Sequence, residues 1–338
     1  MRPHHVRGVK TVENASGVVM ALRPEDVVVG PAFPIGLQSG GPGGTPRSRA
    51  AGRTGSSRPV AASWASVGTI DTMSTVLDRI MAAHRRAAEA DKRWLDATMT
   101  AAFEAPDPRD FRGLLRVAAI RTGRPSVIAE IKRRSPSKGD LAPDLDPTAL
   151  AVAYQSAGAT ALSVLTDAEF FGGSPDDLAA ARAAVPDLPI LRKDFTVDGR
   201  DVADARAMGA DAVLLIAAAL SPGDLSRLRG LAQGLGLAAV VEVHDEDQLR
   251  AALKAGADII GVNQRDLRTF EVDPGRAARL ATFIPDGVMK IAESGIHTPD
   301  QVDALAEAGY DAILVGEQLV TAADPAHALR ELRGEPDG

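Results

Sequence analysis

From Val127 to its end the chain alternates short runs of apolar, mostly branched residues with longer amphipathic stretches. The runs fall at Val127–Ile131, Ala161–Leu165, Ile190–Leu191, Ala212–Ile216, Ala239–Val243, Ile259–Val262, Met289–Ala292 and Ala312–Val315. Their separation, roughly 20–35 residues, is what βαβ units require. Eight βα units in roughly 200–250 residues suit a closed (β/α)8 TIM barrel better than an open doubly wound sheet. A weak internal repeat supports this. Ala157-Gly158-Ala159, Met208-Gly209-Ala210, Ala255-Gly256-Ala257 and Ala308-Gly309-Tyr310 each precede an even-numbered strand, with glycine placed to end a helix. The repeating unit is therefore βαβα, used four times.

Upstream the pattern changes twice. Between Ser74 and about Ala105, Val76, Leu77, Ile80, His84, Trp94 and Leu95 form an apolar stripe at helical spacing, and a second helix is predicted around Asp110–Arg121. These N-terminal helices, 74–121, belong with the barrel in a unit spanning 73–338. Residues 1–72 sustain neither period and contain Ser39-Gly40-Gly41-Pro42-Gly43-Gly44, which predicts a disordered leader. The leader holds eight Arg or Lys against four Asp or Glu, net +4, which leaves −11 for the remainder of a chain whose total is −7. It has neither a transit-peptide pattern nor a signal-peptide apolar core, and Met73 is a plausible natural start.

Composition narrows the function. With 45% apolar residues the chain can build a substantial core, and with no cysteine it has no disulfide framework, thiolate chemistry or Cys-based metal site. A net charge of −7 argues against general nucleic-acid binding. Apolar runs are too short to span a bilayer, since Gly17–Leu22 is stopped by Arg23. A soluble cytoplasmic protein without nucleic-acid or membrane partners is expected, monomeric by default because no long edge strand or exposed heptad asks for a partner.

The ionisable residues follow strand parity. Period-2 alternation puts Glu130 and Lys132 on one side of the first strand; Lys193 ends the third, Glu242 lies on the fifth and Glu293 ends the seventh. Alternate strands of a barrel share an interior layer, so Lys132, Lys193, Glu242 and Glu293 are expected near the carboxyl mouth with Glu130 one layer below. Taken singly, each could be a solvated charge at a strand end. Together they suit acid–base chemistry, with neighbouring charges and burial setting each proton affinity. The turn Ser135-Pro136-Ser137-Lys138-Gly139, and Gly295 and Gly316 after strands seven and eight, suit an anionic group such as phosphate. Glu317 is a poor phosphate neighbour unless it turns outward. Asn263 and Arg265, just after strand six, could fix a carboxylate or hydroxyl, or Arg265 could pair with Asp266 or a neighbouring loop. His244 has no partner at metal spacing and is read as a loop histidine. His84, His297 and His327 are read as isolated surface residues. Gly234-Leu235-Gly236 precedes a strand, where a dinucleotide fingerprint must follow one, and is set aside.

Several stretches, in order, resemble the indole-3-glycerol phosphate synthase family: Ile128-Ala129-Glu130-Ile131-Lys132 running into Ser135-Pro136-Ser137, Leu191-Arg192-Lys193-Asp194-Phe195, Glu242-Val243-His244, Gly261-Val262-Asn263 with Arg265-Asp266-Leu267, and Ala292-Glu293-Ser294-Gly295-Ile296. The resemblance spans about Ser74 to Arg333. It implies a barrel whose N-terminal helical extension lies over the mouth, and a carboxy-lyase of tryptophan biosynthesis without metal or organic cofactor. Its phosphorylated substrate, 1-(2-carboxyphenylamino)-1-deoxyribulose 5-phosphate, would undergo ring closure with loss of carbon dioxide and water. By the same resemblance Lys193 is the acid for ring closure and Lys132 shares that work or holds the carboxylate. Glu130, Lys132 and Glu242 are candidates for the remaining acid and base, their division left open. Asn263, Arg265, Glu293 and Ser294 would orient the substrate, Phe195 would line the anthranilate pocket, and Ser135, Gly295 and Gly316 would hold the phosphate. Competing readings are a related phosphate-binding barrel, phosphoribosylanthranilate isomerase, which usually relies on a cysteine absent here, and a non-catalytic sugar-phosphate sensor.

Overall fold

The eight predicted runs become eight parallel strands: β1 Ser126–Ile131, β2 Ala161–Leu165, β3 Ile190–Lys193, β4 Ala212–Ile216, β5 Ala238–Val243, β6 Ile259–Asn263, β7 Met289–Glu293 and β8 Ala312–Val315. In the computed structural model each pairs with its neighbours in sequence, and β8 closes on β1 through Ala312↔Ser126 to Val315↔Ala129, giving a closed (β/α)8 TIM barrel. The structure describes residues 75–335 and, before them, two three-residue strands, Thr11–Glu13 and Val19–Ala21, which pair antiparallel in a separate unit. Apart from these strands, the predicted disordered leader lies outside the described residues.

Strand parity divides the apolar residues into two cores. Val127, Ala129 and Ile131 face outward and pack with Leu162, Val164, Val241 and Val243 against the helices that follow the strands. Ile128, Leu191, Val240, Met289 and Ile291 face inward, with Ala161, Ala212, Leu214 and Leu314 from the even strands. Gly158, Gly209, Gly256 and Gly309 all have positive φ, between 81° and 85°, the left-handed conformation that glycine adopts without steric cost. That requirement produces the repeat seen in the sequence.

Three helices precede the barrel: α1 Val76–Ala90, α2 Leu95–Glu104 and α3 Phe111–Thr122. Thr75 and Asp78 form a capping box that starts α1, satisfying amides that the first turn leaves free. Leu77, Ile80 and Met81 of α1 are buried in the inner core together with Phe195, so this helix covers the carboxyl mouth. Phe111 and Leu115 of α3 join the same core, while Arg112 donates to the Gly287 carbonyl ahead of β7, which puts α3 at the opposite end. The predicted stripe is thus corrected in one respect. The chain breaks at Asp91–Trp94, and Trp94, at 83% exposed, and Leu95, at 41%, stand outside it. Asp91 is drawn off the helix by Arg93, whose guanidinium also reaches Asp204.

After the strands come α4 Pro147–Ser156, α5 Pro175–Ala184, α6 Gly199–Ala207, α7 Pro222–Gly234, α8 Glu246–Lys254, α9 Arg276–Ala281, α10 Pro299–Glu307, the short α11 Glu317–Val320 and α12 Pro325–Leu332. Among the described residues no helix is long and apolar enough to cross a membrane.

Candidate active site

The inner positions at the carboxyl ends of the odd strands are occupied by charge. Glu130, Glu242 and Glu293 are all buried, and Lys193 reaches between two of them, its Nζ lying 3.7 Å from Glu242 Oε2 and 3.9 Å from Glu293 Oε2. Lys132 turns down onto Glu130, Nζ to Oε1 at 2.6 Å, and Ser163 Oγ donates to the other oxygen at 3.4 Å. The expected layer therefore resolves into two ion-paired groups, Lys193 with Glu242 and Glu293, and Lys132 with Glu130.

Burial and charge compete in each group. Burial alone would lower the proton affinity of Lys193, but Glu242, Glu293 and Glu130 outweigh it and hold the ammonium well above the ordinary lysine value. Lys193 is therefore charged at neutral pH. Burial also works against ionised Glu130, yet Lys132 and Lys193 outweigh it and keep that carboxyl below its usual range. For Glu293, burial and then the neighbouring Glu242 charge push the carboxyl up to about 8, since one lysine cannot neutralise both. The site accordingly combines a cationic acid with one buried carboxyl held neutral.

Two glycines make room for these carboxylates. A Cβ at Gly261 on β6 would collide with Glu293 Oε1, and one at Gly316 after β8 would collide with Glu130 Oε1. Gly316 was singled out in the sequence for a backbone approach to phosphate; the closest neighbour of its missing side chain is Glu130. Gly261 was not singled out, although a glycine within a strand is a signal of close approach.

The loops above complete the cleft. Ser135 and Gly139 pair across a small two-stranded ribbon after β1 that carries Ser137 and Lys138 at its turn. Ser294 and Gly295 both take positive φ, 67° and 71°, and the Ser294 carbonyl accepts from Gln264 Nε2 at 2.8 Å. Glu130, Lys132, Ser135, Lys193, Phe195, Glu242, Asn263, Arg265, Glu293, Ser294, Gly295 and Gly316 all line one cleft at the carboxyl end of the barrel. Each residue singled out for catalysis or binding is thus brought to the same place.

Glu317 and His84 differ from their sequence reading. Glu317 lines the cleft and is held by Arg265 Nη2 at 3.1 Å and Lys138 Nζ at 3.6 Å, so it is neutralised in place where the sequence asked it to turn outward. Of the two pairings the sequence offered Arg265, the structure shows the one with a neighbouring loop and not the one with Asp266. His84 is no isolated surface residue: its Nε2 lies 2.9 Å from buried Asp167, and its ring sits 5.2 Å from that of Phe195. Burial opposes charging His84, but Asp167 and Asp194 outweigh it and raise its proton affinity above the ordinary value. His244 does sit in a loop, but its Nε2 is 3.5 Å from Glu242 Oε1. His297 is exposed as expected yet lines the cleft beside Gln318, and His327 is exposed. These contacts join residues distant in sequence or on successive loops, which no local pattern announces.

Residues 77–332 match the family model described as indole-3-glycerol phosphate synthase. An indole-3-glycerol phosphate synthase of Parafrankia sp. (strain EAN1pec) is 53% identical over 227 residues, covering 67% of this chain and 82% of the relative. That of Roseiflexus sp. (strain RS-1) is 49% identical over 272 residues, 78% of this chain and 99% of the relative. Indole-3-glycerol phosphate synthase 2 of Streptomyces coelicolor is 51% identical over 233 residues, 69% of this chain and 88% of the relative. With the barrel and the charged cleft described above, these similarities establish that the chain belongs to the indole-3-glycerol phosphate synthase family.

Proposed function

We propose that this carboxy-lyase of tryptophan biosynthesis divides its proton transfers between the two ion-paired groups of the cleft. The observation that carries the reading is the position of Lys193, a charged ammonium between two buried carboxyl groups, one of them neutral at pH 7. The aryl carbon that bears the carboxylate attacks the ribulose carbonyl, and the carbonyl oxygen takes a proton from Lys193. The bond to the carboxylate then breaks, carbon dioxide leaves, and its electron pair restores the aromatic ring. The new hydroxyl leaves as water with a proton from Lys132, and Glu242 takes the proton from the ring carbon beside nitrogen to complete the indole. Two protons enter and one departs, so each turnover draws one from solvent.

Glu130 holds Lys132 in place through the 2.6 Å ion pair. Asn263, Glu293 and Ser294 orient the substrate's hydroxyl groups, and Phe195 supports its aromatic ring. Ser135 with the amides about Gly295 and Gly316 holds the phosphate, and Arg265 supplies positive charge beside it while pairing with Glu317. The enzyme works as a monomer in the cytoplasm. Lys193→Ala tests the assignment: turnover should fall by about 10³-fold or more, the scale of losing a positioned acid together with its charge, with folding preserved by circular dichroism. Near-normal activity would overturn Lys193 as the acid.

A further inference from the structure

His84 lies one turn beyond the buried Ile80 and Met81, on the same face of α1, so the helix that covers the mouth carries this ring inward with it. There the ring meets two carboxyl groups, each of which seats an aromatic residue. Asp167, two residues beyond β2, accepts through Oδ1 from the backbone amides of Phe170 at 2.6 Å and Phe171 at 2.9 Å, and its Oδ2 lies 2.9 Å from His84 Nε2. Asp194, directly after β3, accepts through Oδ1 from the Phe195 amide at 2.8 Å, and the same oxygen is 3.9 Å from His84 Nε2. The His84 ring stands 5.2 Å from that of Phe195, and Phe195 stands 6.0 Å from Phe171, separations typical of favourable aromatic pairs. Phe171 and Phe195 line the cleft, whereas His84 is not among the described residues that do.

We propose that His84 is a positioning residue for the substrate's aryl ring: its own ring fixes Phe195, and its bond to Asp167 fixes the loop that carries Phe171. It acts through these two aromatic walls and not on the substrate. The bond to Asp167 needs a hydrogen on Nε2, which the charged ring and the Nε2–H form of the neutral ring both supply. Burial opposes ionisation of Asp167, but His84 and the amides of Phe170 and Phe171 outweigh it and hold the carboxyl below its ordinary range. The acid of the reaction is held independently of this bridge. Asp194 keeps Arg192 at 2.8 Å and Thr166 on its other oxygen, and the adjacent Lys193 is paired with Glu242 and Glu293. His84 therefore governs how firmly the aryl ring is held, and not the proton transfers made beside it.

This inference rests on Phe195 lining the aryl pocket, and the two fail in different measurements. In the full-length chain, His84→Ala should raise KM and the inhibition constant of anthranilate by about three- to tenfold, the scale of one aromatic contact. Its kcat should change less than about threefold, and the inhibition constant of inorganic phosphate should stay the same. His84→Gln keeps a donor for Asp167 but no ring against Phe195. It should hold the wild-type melting temperature and still bind anthranilate about threefold or more weakly, so that the loss cannot come from a loosened helix. Adding His84→Gln to Phe195→Leu should change the anthranilate constant less than about twofold further, because the contact it acts through is already gone. Anthranilate bound as tightly by His84→Gln as by the wild type, or anthranilate and phosphate weakened equally in His84→Ala, would overturn the proposal. Unchanged anthranilate affinity in Phe195→Leu alone would instead overturn Phe195 as a wall of the pocket.

Discussion

Replacing Glu293 with glutamine should stabilise the protein at alkaline pH and leave its stability nearly unchanged in mild acid. Glu293 is a buried carboxyl whose ordinary value of 4.5 is raised to about 8 by burial and by Glu242. Below 4.5 the group is protonated whether the chain is folded or not, and costs nothing. Between 4.5 and about 8 the unfolded chain gives up this proton while the folded chain keeps it, so the folded state binds more protons and stability falls as pH rises. Above about 8 both states are ionised and the loss is complete. At 1.36 kcal/mol per pH unit that interval corresponds to about 5 kcal/mol as an upper bound, and we expect ~3–5 kcal/mol. Glutamine keeps the volume and never ionises, so it removes this penalty. The assay is thermal unfolding of wild type and Glu293→Gln from pH 4.5 to 9. Their midpoints should nearly coincide at the acid end and diverge by on the order of 10 °C at pH 9, with the variant higher. A difference between the two that does not change with pH would refute the assignment of a neutral carboxyl at this position.

Three further outcomes follow from the same geometry. Gly316→Ala should drive a methyl group into Glu130 Oε1, displacing Lys132 with it and lowering kcat by about 10²-fold, the scale of a misplacement of about 1 Å; steady-state kinetics with unchanged kcat would show that the carboxylate can yield freely. Glu317→Gln should free Arg265 and Lys138 for the phosphate and lower the inhibition constant of inorganic phosphate by about three- to tenfold, one charge pair's worth at a half-exposed site; an increase would mean that Glu317 serves to organise those cations. His84→Ala should loosen α1 over the mouth through the loss of its bond to Asp167 and its contact with Phe195. Its melting temperature should fall by roughly 2–6 °C, for a loss of about 1–1.5 kcal/mol, and an unchanged value would indicate that the aliphatic contacts of α1 suffice.

The barrel was legible because inward and outward strand positions are both buried and therefore both apolar, which leaves eight unmistakable runs. Strand ends were less legible where chemistry replaces the core. The apolar run of β3 stops at Leu191, yet the strand continues to Lys193; β6 continues to Asn263 and β7 to Glu293. The charged residues were found by alternation, since Glu130 and Lys132 must share a face. Their partners were not, because Lys193 meets Glu242 and Glu293 only once β3, β5 and β7 converge on the barrel axis. The break between α1 and α2 has no proline or glycine to mark it, only the ion pairs of Arg93 with Asp91 and Asp204. Likewise the bond from His84 to Asp167 spans 83 residues, and the place of Gly261 depends on a carboxylate from the next strand.

The central claim is that side chains of this cleft carry every proton transfer of the synthase reaction. The most direct measurement gives the purified full-length chain 1-(2-carboxyphenylamino)-1-deoxyribulose 5-phosphate in the presence of EDTA and follows indole absorbance and fluorescence. Indole-3-glycerol phosphate should form at the same rate with and without the chelator. Formation that stops in EDTA and returns on addition of a divalent cation would contradict it.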